Sequence, residues 1–271
     1  MKKFISILGT VLVISVLAAC GGKSGDKEEL VVGASNVPHA EILEEAQPLL
    51  EEKGVQLEIE TFQDYVVPNK ALANKELDAN YFQHVPYMEQ QMKENEKYDF
   101  VNAGGIHIEP MGVYSKEYKS LEELPKGAEI IMSNAVADHG RILSMFESEG
   151  LITLKEGVKK SEATVKDIDE NPKNLNFEPK VDAGLLPKIY NNGEGDAVLI
   201  NTNYAIDAGL DPKKDAIALE GTDSPYVNII AVNKGNEDDE RIKKLVEVLR
   251  SKEMQDFIKK EYKGAVVPVS E

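Results

Sequence analysis

The sequence predicts an α/β protein built as two lobes, and three observations predict it. Short apolar runs bounded by Gly, Pro and Asn alternate with stretches carrying apolar residues at helical spacing. The alternation starts twice, once near Leu30 and again near Ser120. An amphipathic stretch from Glu237 to Lys260 then closes the chain. Alternation of this kind favours sheets whose faces are covered by helices.

Leu30-Val31-Val32-Gly33-Ala34 reads as a buried strand. Pro38 opens a helix carrying Ile42, Leu43, Ala46, Leu49 and Leu50, and Gly54 stops it. Val55 to Phe62 alternates apolar and acidic residues as a strand does. Asn69 to Asn74 reads as a short helix, Asp78 to Phe82 as a strand, and Pro86 to Glu96 as a helix. Phe100 to Tyr114 is extended, with breaks at Gly104-Gly105 and Pro110. This βαβαβα order favours parallel pairing. In the second unit Ser120 to Pro125 has the form of a capping box. A strand follows over Ala128 to Met132, a helix over Gly140 to Gly150, and a helix start at Thr164 to Ile168. Asp196 to Ile200 and Asn228 to Val232 are strands, and Glu237 to Lys260 is one long helix. The expected division is residues 30–115 plus 229–271 in lobe 1 and residues 116–228 in lobe 2.

The 271 residues suffice for two small domains. With 31 Lys+Arg against 48 Asp+Glu, the net charge of −17 excludes a nucleic-acid partner. It equally excludes a polybasic hold on an anionic membrane. An apolar fraction of 42% is too high for disorder. A single Cys excludes a disulfide framework.

That Cys has a position of its own. Lys2 and Lys3 precede an apolar run from Phe4 to Ala19, too short for a spanning helix, and the run ends Leu17-Ala18-Ala19-Cys20-Gly21. Residues 1–19 read as a signal peptide, and small residues before Cys20 resemble the lipobox of bacterial lipoproteins. Lipidation there would anchor the chain to the cell membrane on its extracytoplasmic face, since each buried CH₂ is worth about 0.8 kcal/mol. Residues 20–29, Gly-rich and polar, read as a tether spanning roughly 15–18 Å as a coil.

Several stretches resemble one family. They include Pro38-His39-Ala40-Glu41, Asp64-Tyr65-Val66-Val67-Pro68-Asn69 and Asp78-Ala79-Asn80-Tyr81-Phe82-Gln83-His84-Val85-Pro86-Tyr87. Further on come Gly140-Arg141, Asn171-Pro172-Lys173-Asn174, Ile200-Asn201-Thr202-Asn203-Tyr204 and Ser224-Pro225-Tyr226-Val227-Asn228. Together they look like the NlpA family of lipoproteins, the methionine-binding components of ABC importers. The resemblance implies a two-lobed, periplasmic-binding-protein-like clamshell of type II form, each lobe a mixed sheet flanked by helices. It implies a monomer that takes no cofactor and closes on L-methionine or a close analogue. Its partners would be a membrane permease and that permease's ATPase. Carried over residue by residue, the ligand's side chain would lie among Tyr65, Phe82, His84 and Tyr87. Its zwitterion would lie among Arg141, Asn201 and Asn228.

Those residue types suit that task. A charge taken out of water needs a partner. Arg meets a carboxylate with two parallel hydrogen bonds. Arg141 stands alone in the body, the other two arginines, Arg241 and Arg250, lying on the terminal helix. It follows Gly140 near an expected helix start, where backbone N–H groups also favour an anion. Asn both donates and accepts, and a thioether packs well on aromatic rings. Plainer readings stand beside these. Tyr81 and Phe82 can be core residues of one strand, with alternation turning only Phe82 inward. His84 can cap the helix that Pro86 opens. Arg141 can be a surface residue and Asn201 a turn former.

Two other classes are open. A metal-ion-binding lipoprotein of an importer would use His39, His84, His107 or His139, but no pair of these has helix-face spacing. An enzyme would need a nucleophile or paired acids. No G-x-S-x-G or H-E-x-x-H occurs, Cys20 is committed to lipid, and Glu109 and Asp138 have no partner evident in the sequence. No catalytic residue, resident metal or enzymatic activity is therefore expected.

Overall fold

The computed structural model describes residues 28–222 and 224–269. The signal peptide, Cys20 and the tether up to residue 27 lie outside the described residues. Among the described residues no helix is long and apolar enough to cross a membrane. The chain first lays down β1 (Glu28–Ser35), α1 (Glu41–Glu52), β2 (Val55–Phe62), α2 (Val67–Ala73), β3 (Ala79–His84), α3 (Val85–Glu94) and β4 (Phe100–Ile108). It then crosses over and forms β5 (Gly112–Tyr114), β6 (Glu129–Ser133), α4 (Val136–Ser148), β7 (Thr153–Leu154), β8 (Ile168–Glu170) and β9 (Asn176–Val181). There follow α5 (Leu186–Asn192), β10 (Ala197–Ile200), α6 (Thr202–Asp207), α7 (Pro212–Asp215) and β11 (Ala218–Leu219). A second crossing leads back to β12 (Val227–Asn233), α8 (Glu240–Leu249), α9 (Lys252–Tyr262) and β13 (Val267–Pro268).

Two mixed sheets result, as expected of the fold. The first runs β13-β4-β12-β3-β1-β2 and the second β11-β5-β10-β6-β9. β1 pairs in parallel with β2 and β3, as the βαβ order predicts. β4 departs from that order, because the returning β12 inserts between it and β3 and pairs antiparallel with both. In the second sheet β6 is parallel to β9 and β10, while β5 is antiparallel to β10 and β11.

The first core fills the space between its sheet and the helices α1, α8 and α9. Leu30, Val32, Ile42, Leu43, Leu50, Ile230, Leu245 and Ile258 are buried there. The second core centres on Ile130, Met132, Ile142, Leu143, Phe146 and Leu199. Full burial of an aliphatic side chain contributes about 1.5–3 kcal/mol, so each lobe holds its own fold.

Several expectations are corrected. Glu28 and Glu29 belong to β1, paired with Val55 and Gln56, because the strand extends back over β2 rather than fraying into a tether. The helix after Pro38 begins only at Glu41. A π-type turn over Asn36–Ala40 precedes it and contains the cis Val37-Pro38 bond. β5, assigned to the first lobe by the 115/116 boundary, pairs in the second sheet, so Pro110 marks the crossing. Ser120 caps nothing with its side chain and only a 3₁₀ turn follows. The working capping box is Thr164 with Asp167, over another 3₁₀ turn. The closing helix is two helices, because the Ser251 hydroxyl accepts from Met254 N–H and starts α9 afresh. The strand alternation at Tyr81 and Phe82 fails too. β3 lies inside the sheet with both faces covered, so all six of its residues are buried.

Candidate functional site

A cavity opens between the sheets, and all seven residues carried over by motif line it: Tyr65, Phe82, His84, Tyr87, Arg141, Asn201 and Asn228. Gln83, Glu109, Asp138, Thr202 and Asn203 complete the wall. The residues come from β3, α3, β12 and a preceding loop on one side, and from α4, α6 and its flank on the other.

The ring wall stands on the first lobe. Tyr65 lies 5.8 Å from Phe82 and 5.9 Å from Tyr87, centroid to centroid, while Phe82 and Tyr87 meet edge to face at 6.1 Å. The Tyr87 hydroxyl donates to the Tyr65 carbonyl at 3.0 Å, which fixes the two rings together. The Tyr65 hydroxyl reaches across to the second lobe and donates to Asn203 Oδ1 at 2.6 Å. Asn69 and Asn80, behind the wall, and Gln83, which is part of it, satisfy one another in a buried amide network at 2.7–3.0 Å. These three motif residues hold α2 against β3, so their presence in the sequence block is structural.

His84 combines the two roles left open for it. Its Nδ1 accepts from Tyr87 N–H at 3.2 Å as the cap of α3, which leaves the ring proton on Nε2. Nε2 faces Asp138 Oδ1 at 3.4 Å, on the opposite lobe. Asp138 also accepts from Asn201 Nδ2 at 3.1 Å. Burial works against its charge, but the His84 bond, the Arg141 charge and the Asn201 bond overcome it and hold the carboxyl at about 2. Asn201 Oδ1 is buried and accepts from nothing among the described residues.

Arg141 is not at a helix start. α4 begins at Val136, so Arg141 sits in mid-helix and the backbone N–H groups around it are already bonded within the helix. It is nonetheless buried, with 5% of its surface exposed. Its Nε donates to Glu220 Oε2 at 2.9 Å, Nη2 pairs closely with the same oxygen, and Nη2 also donates to the Glu109 carbonyl at 2.8 Å. The Tyr226 ring lies 4.6 Å from the guanidinium carbon, which adds a cation–π contact. Nη1 comes within 3.6 Å of Asp138 Oδ1.

Glu109, His107 and His39 had no role legible in the sequence. Glu109 Oε2 accepts from Asn203 N–H at 3.0 Å, and Oε1 lies 2.7 Å from His107 Nε2 and 3.2 Å from His39 Nε2. Burial pushes Glu109 up, opposed by His39, Arg141 and the Asn203 N–H. Burial also lowers His39 to about 4 and His107 to about 3, so both rings are neutral near pH 7. Tyr81 bonds His107 Nδ1, and Asn228 Oδ1 lies 3.1 Å from His39 Nε2. His39, His107 and Glu109 are also the described residues whose donor atoms, within 4.8 Å of one another, could hold a cation. Their polar atoms are engaged with each other and with Tyr81, Asn203 and Asn228, except His39 Nδ1, which is buried without a partner among the described residues. Spacing could not bring these groups together, since they come from a turn, a strand and a crossing.

A two-lobed α/β body with a cavity between its sheets, a ring wall on one side and a guanidinium among carboxylates on the other, defines a solute-binding protein of the clamshell type. The chain belongs to the NlpA lipoprotein family, whose model matches residues 30–270. It is 58% identical to the methionine-binding lipoprotein MetQ of Bacillus subtilis over the whole of both chains. It is 37% identical to the D-methionine-binding lipoprotein MetQ of Escherichia coli, over 98% of this chain and 97% of that one. A solved nutrient-binding protein from Burkholderia cenocepacia, bound to methionine, is 43% identical and superposes with a TM-score of 0.83 over 89% of this chain and all of that one.

Proposed function

We propose that this chain is the methionine-binding component of an ABC importer. It captures L-methionine or a close analogue outside the cytoplasmic membrane and delivers it to the permease and its ATPase. In this reading it works as a monomer, held to the membrane by lipid on Cys20, and does no chemistry on its cargo.

One observation carries the reading: the seven motif residues converge on a single cavity, with rings and guanidinium facing each other from opposite lobes. The thioether packs on Tyr65, Phe82 and Tyr87, each sulfur–ring contact contributing about 0.3–1.5 kcal/mol. The ligand carboxylate takes the Nη1 end of Arg141, which Glu220 and the Glu109 carbonyl leave free and which faces Asp138 Oδ1 at 3.6 Å. The ammonium goes to the carboxylate-rich side. Asp138 and Glu109 line the cavity, and Asn201 Oδ1 awaits a donor. Asn228 holds His39 and so sets the floor beneath Glu109. The lobes close by moving about the crossings at residues 109–111 and at 220–222 and 224–226, and ligand bridging both lobes shifts the population toward closure.

The test is calorimetry on ligand-stripped protein. L-Methionine should bind far more tightly than L-alanine, and Phe82→Ala should erode methionine affinity by about ten-fold while changing the alanine response little. No heat with L-methionine, its D-enantiomer, its sulfoxide or methionyl dipeptides would overturn the assignment. Equal losses for both ligands would remove Phe82 from the side-chain pocket.

A further inference from the structure

Glu220 stands just past the end of β11 and lies outside the cavity wall, yet it holds more of Arg141 than any cavity residue does. Its Oε2 takes both Nε and Nη2 of the guanidinium. The same oxygen accepts from Met111 N–H at 3.1 Å, and Oε1 accepts from the Ser224 hydroxyl at 2.9 Å. Its own backbone N–H donates to the Met111 carbonyl at 2.9 Å. Met111 belongs to the first crossing between the sheets, and Glu220 and Ser224 to the second. The two crossings run side by side. β5 and β11 are antiparallel neighbours as they leave the second sheet, and β4 and β12 are antiparallel neighbours as they enter the first. Arg141 completes the arrangement by donating to the Glu109 carbonyl, also on the first crossing. One guanidinium, fixed in the second lobe by α4, is thereby fastened to both connections between the lobes.

We infer that Glu220 is the positioning residue of the ligand site: it sets the orientation of Arg141 and ties that orientation to the two interlobe crossings. The inference rests on the reading in which Arg141 takes the ligand carboxylate. An arginine offers its donors in a rigid planar fork. Spending Nε and one edge of Nη2 on Glu220 and the other edge on Glu109 fixes the plane, and leaves Nη1 directed by geometry rather than by chance. Glu220 touches no part of the cavity, so its effect on ligand must pass through Arg141 or through the crossings. A mere stability role would weaken all ligands alike. A positioning role weakens only those that carry a carboxylate.

The experiment is calorimetry with L-methionine and L-methioninol, the analogue in which the carboxylate is reduced to an alcohol. It is run on wild type, Glu220→Gln, Glu220→Asp, Arg141→Gln and the double variant Arg141→Gln/Glu220→Gln. Glu220→Gln should lower methionine affinity by about ten-fold or more and methioninol affinity by less than about two-fold. Glu220→Asp, which keeps the charge, should recover part of the loss. In the Arg141→Gln background, Glu220→Gln should add nothing, since paired residues acting through one contact are non-additive. Ser224→Ala, a half-buried change that removes the hydroxyl bond to Glu220 and one from Tyr226 N–H, should give the same selective loss at about two- to three-fold and serves where Glu220→Gln does not fold. A wild-type preference for methionine that survives intact in Glu220→Gln and Ser224→Ala would overturn the inference alone. So would equal losses for both ligands. Wild-type protein that binds methioninol as tightly as methionine would overturn the carboxylate assignment itself, and the inference with it.

Discussion

His39 and His107 are neutral bases shut inside the first lobe, and that has a cost in acid. The groups facing them are Glu109, Tyr81, Asn228 and each other. Both folded values, about 4 and about 3, lie below the ordinary imidazole value of 6.5. The stability they contribute is therefore fully present above pH 6.5 and drains away as pH falls toward those values. Each adds a slope of up to about 1.4 kcal/mol per pH unit in that window. Glu109, raised by burial, runs the opposite way, so the comparison that isolates the histidines is with His39→Gln. Urea midpoints measured from pH 6.5 down to 5 should fall more steeply for wild type than for the variant. Equal slopes would contradict neutral burial of His39. At this scale the sequence is informative about residue type but blind to company. The aromatic and amide positions could be picked out of the Asp78–Tyr87 block, whereas Glu109 and Asp138 looked partnerless because most of their partners, among them His39, Asn203, His84 and Asn201, are dozens of positions away, and the near ones, His107 and Arg141, do not show as partners without the fold.

Between elements, the tightest constraint is at α4. Gly140 lets that helix approach the turn at Lys160 so closely that a Cβ would sit 2.2 Å from the Lys160 carbonyl oxygen. Backbone cannot yield as a flexible side chain can. Gly140→Ala should therefore destabilise the protein by about 2 kcal/mol or more, and shift a helix that carries both Asp138 and Arg141. Thermal melting together with methionine calorimetry checks this. A variant with wild-type Tm and affinity would mean the contact relaxes freely. Gly104 and Gly105 are explained the same way, since a Cβ on either would strike Val246 or Val227. Element positions were largely legible, because hydrophobic periodicity reports which face is covered. Boundaries were fainter. Ile242, Leu245 and Leu249 step by three and four residues, but Leu249 to Met254 is a step of five, a slip of helical phase across Arg250-Ser251 where the cap makes two helices of one apolar run. β3 misled in a different way, because alternation assumes one wet face and this strand has none.

Across the whole molecule, the cavity joins two independent cores, so cargo that touches both walls must stabilise their union. A ligand that binds only the folded form adds RT ln(1 + [L]/Kd), about 2.7 kcal/mol at a hundred-fold excess over Kd. For a body of this size the melting temperature should rise by roughly 5–11 °C under those conditions, read by differential scanning fluorimetry with L-methionine. No rise would mean the cavity does not hold it. The two-lobe plan was visible in the sequence as two series of strand and helix. The pairing of β12 between β3 and β4 was not, because a strand's neighbour is set by where the chain returns rather than by its composition. That return has a mechanical consequence. Two strips of chain lying flank to flank bend readily about a line drawn across both, but they resist twisting and sliding past one another. Any gape of the two halves is thus steered along a single arc, and the mouth it opens faces the surroundings the same way at every cycle.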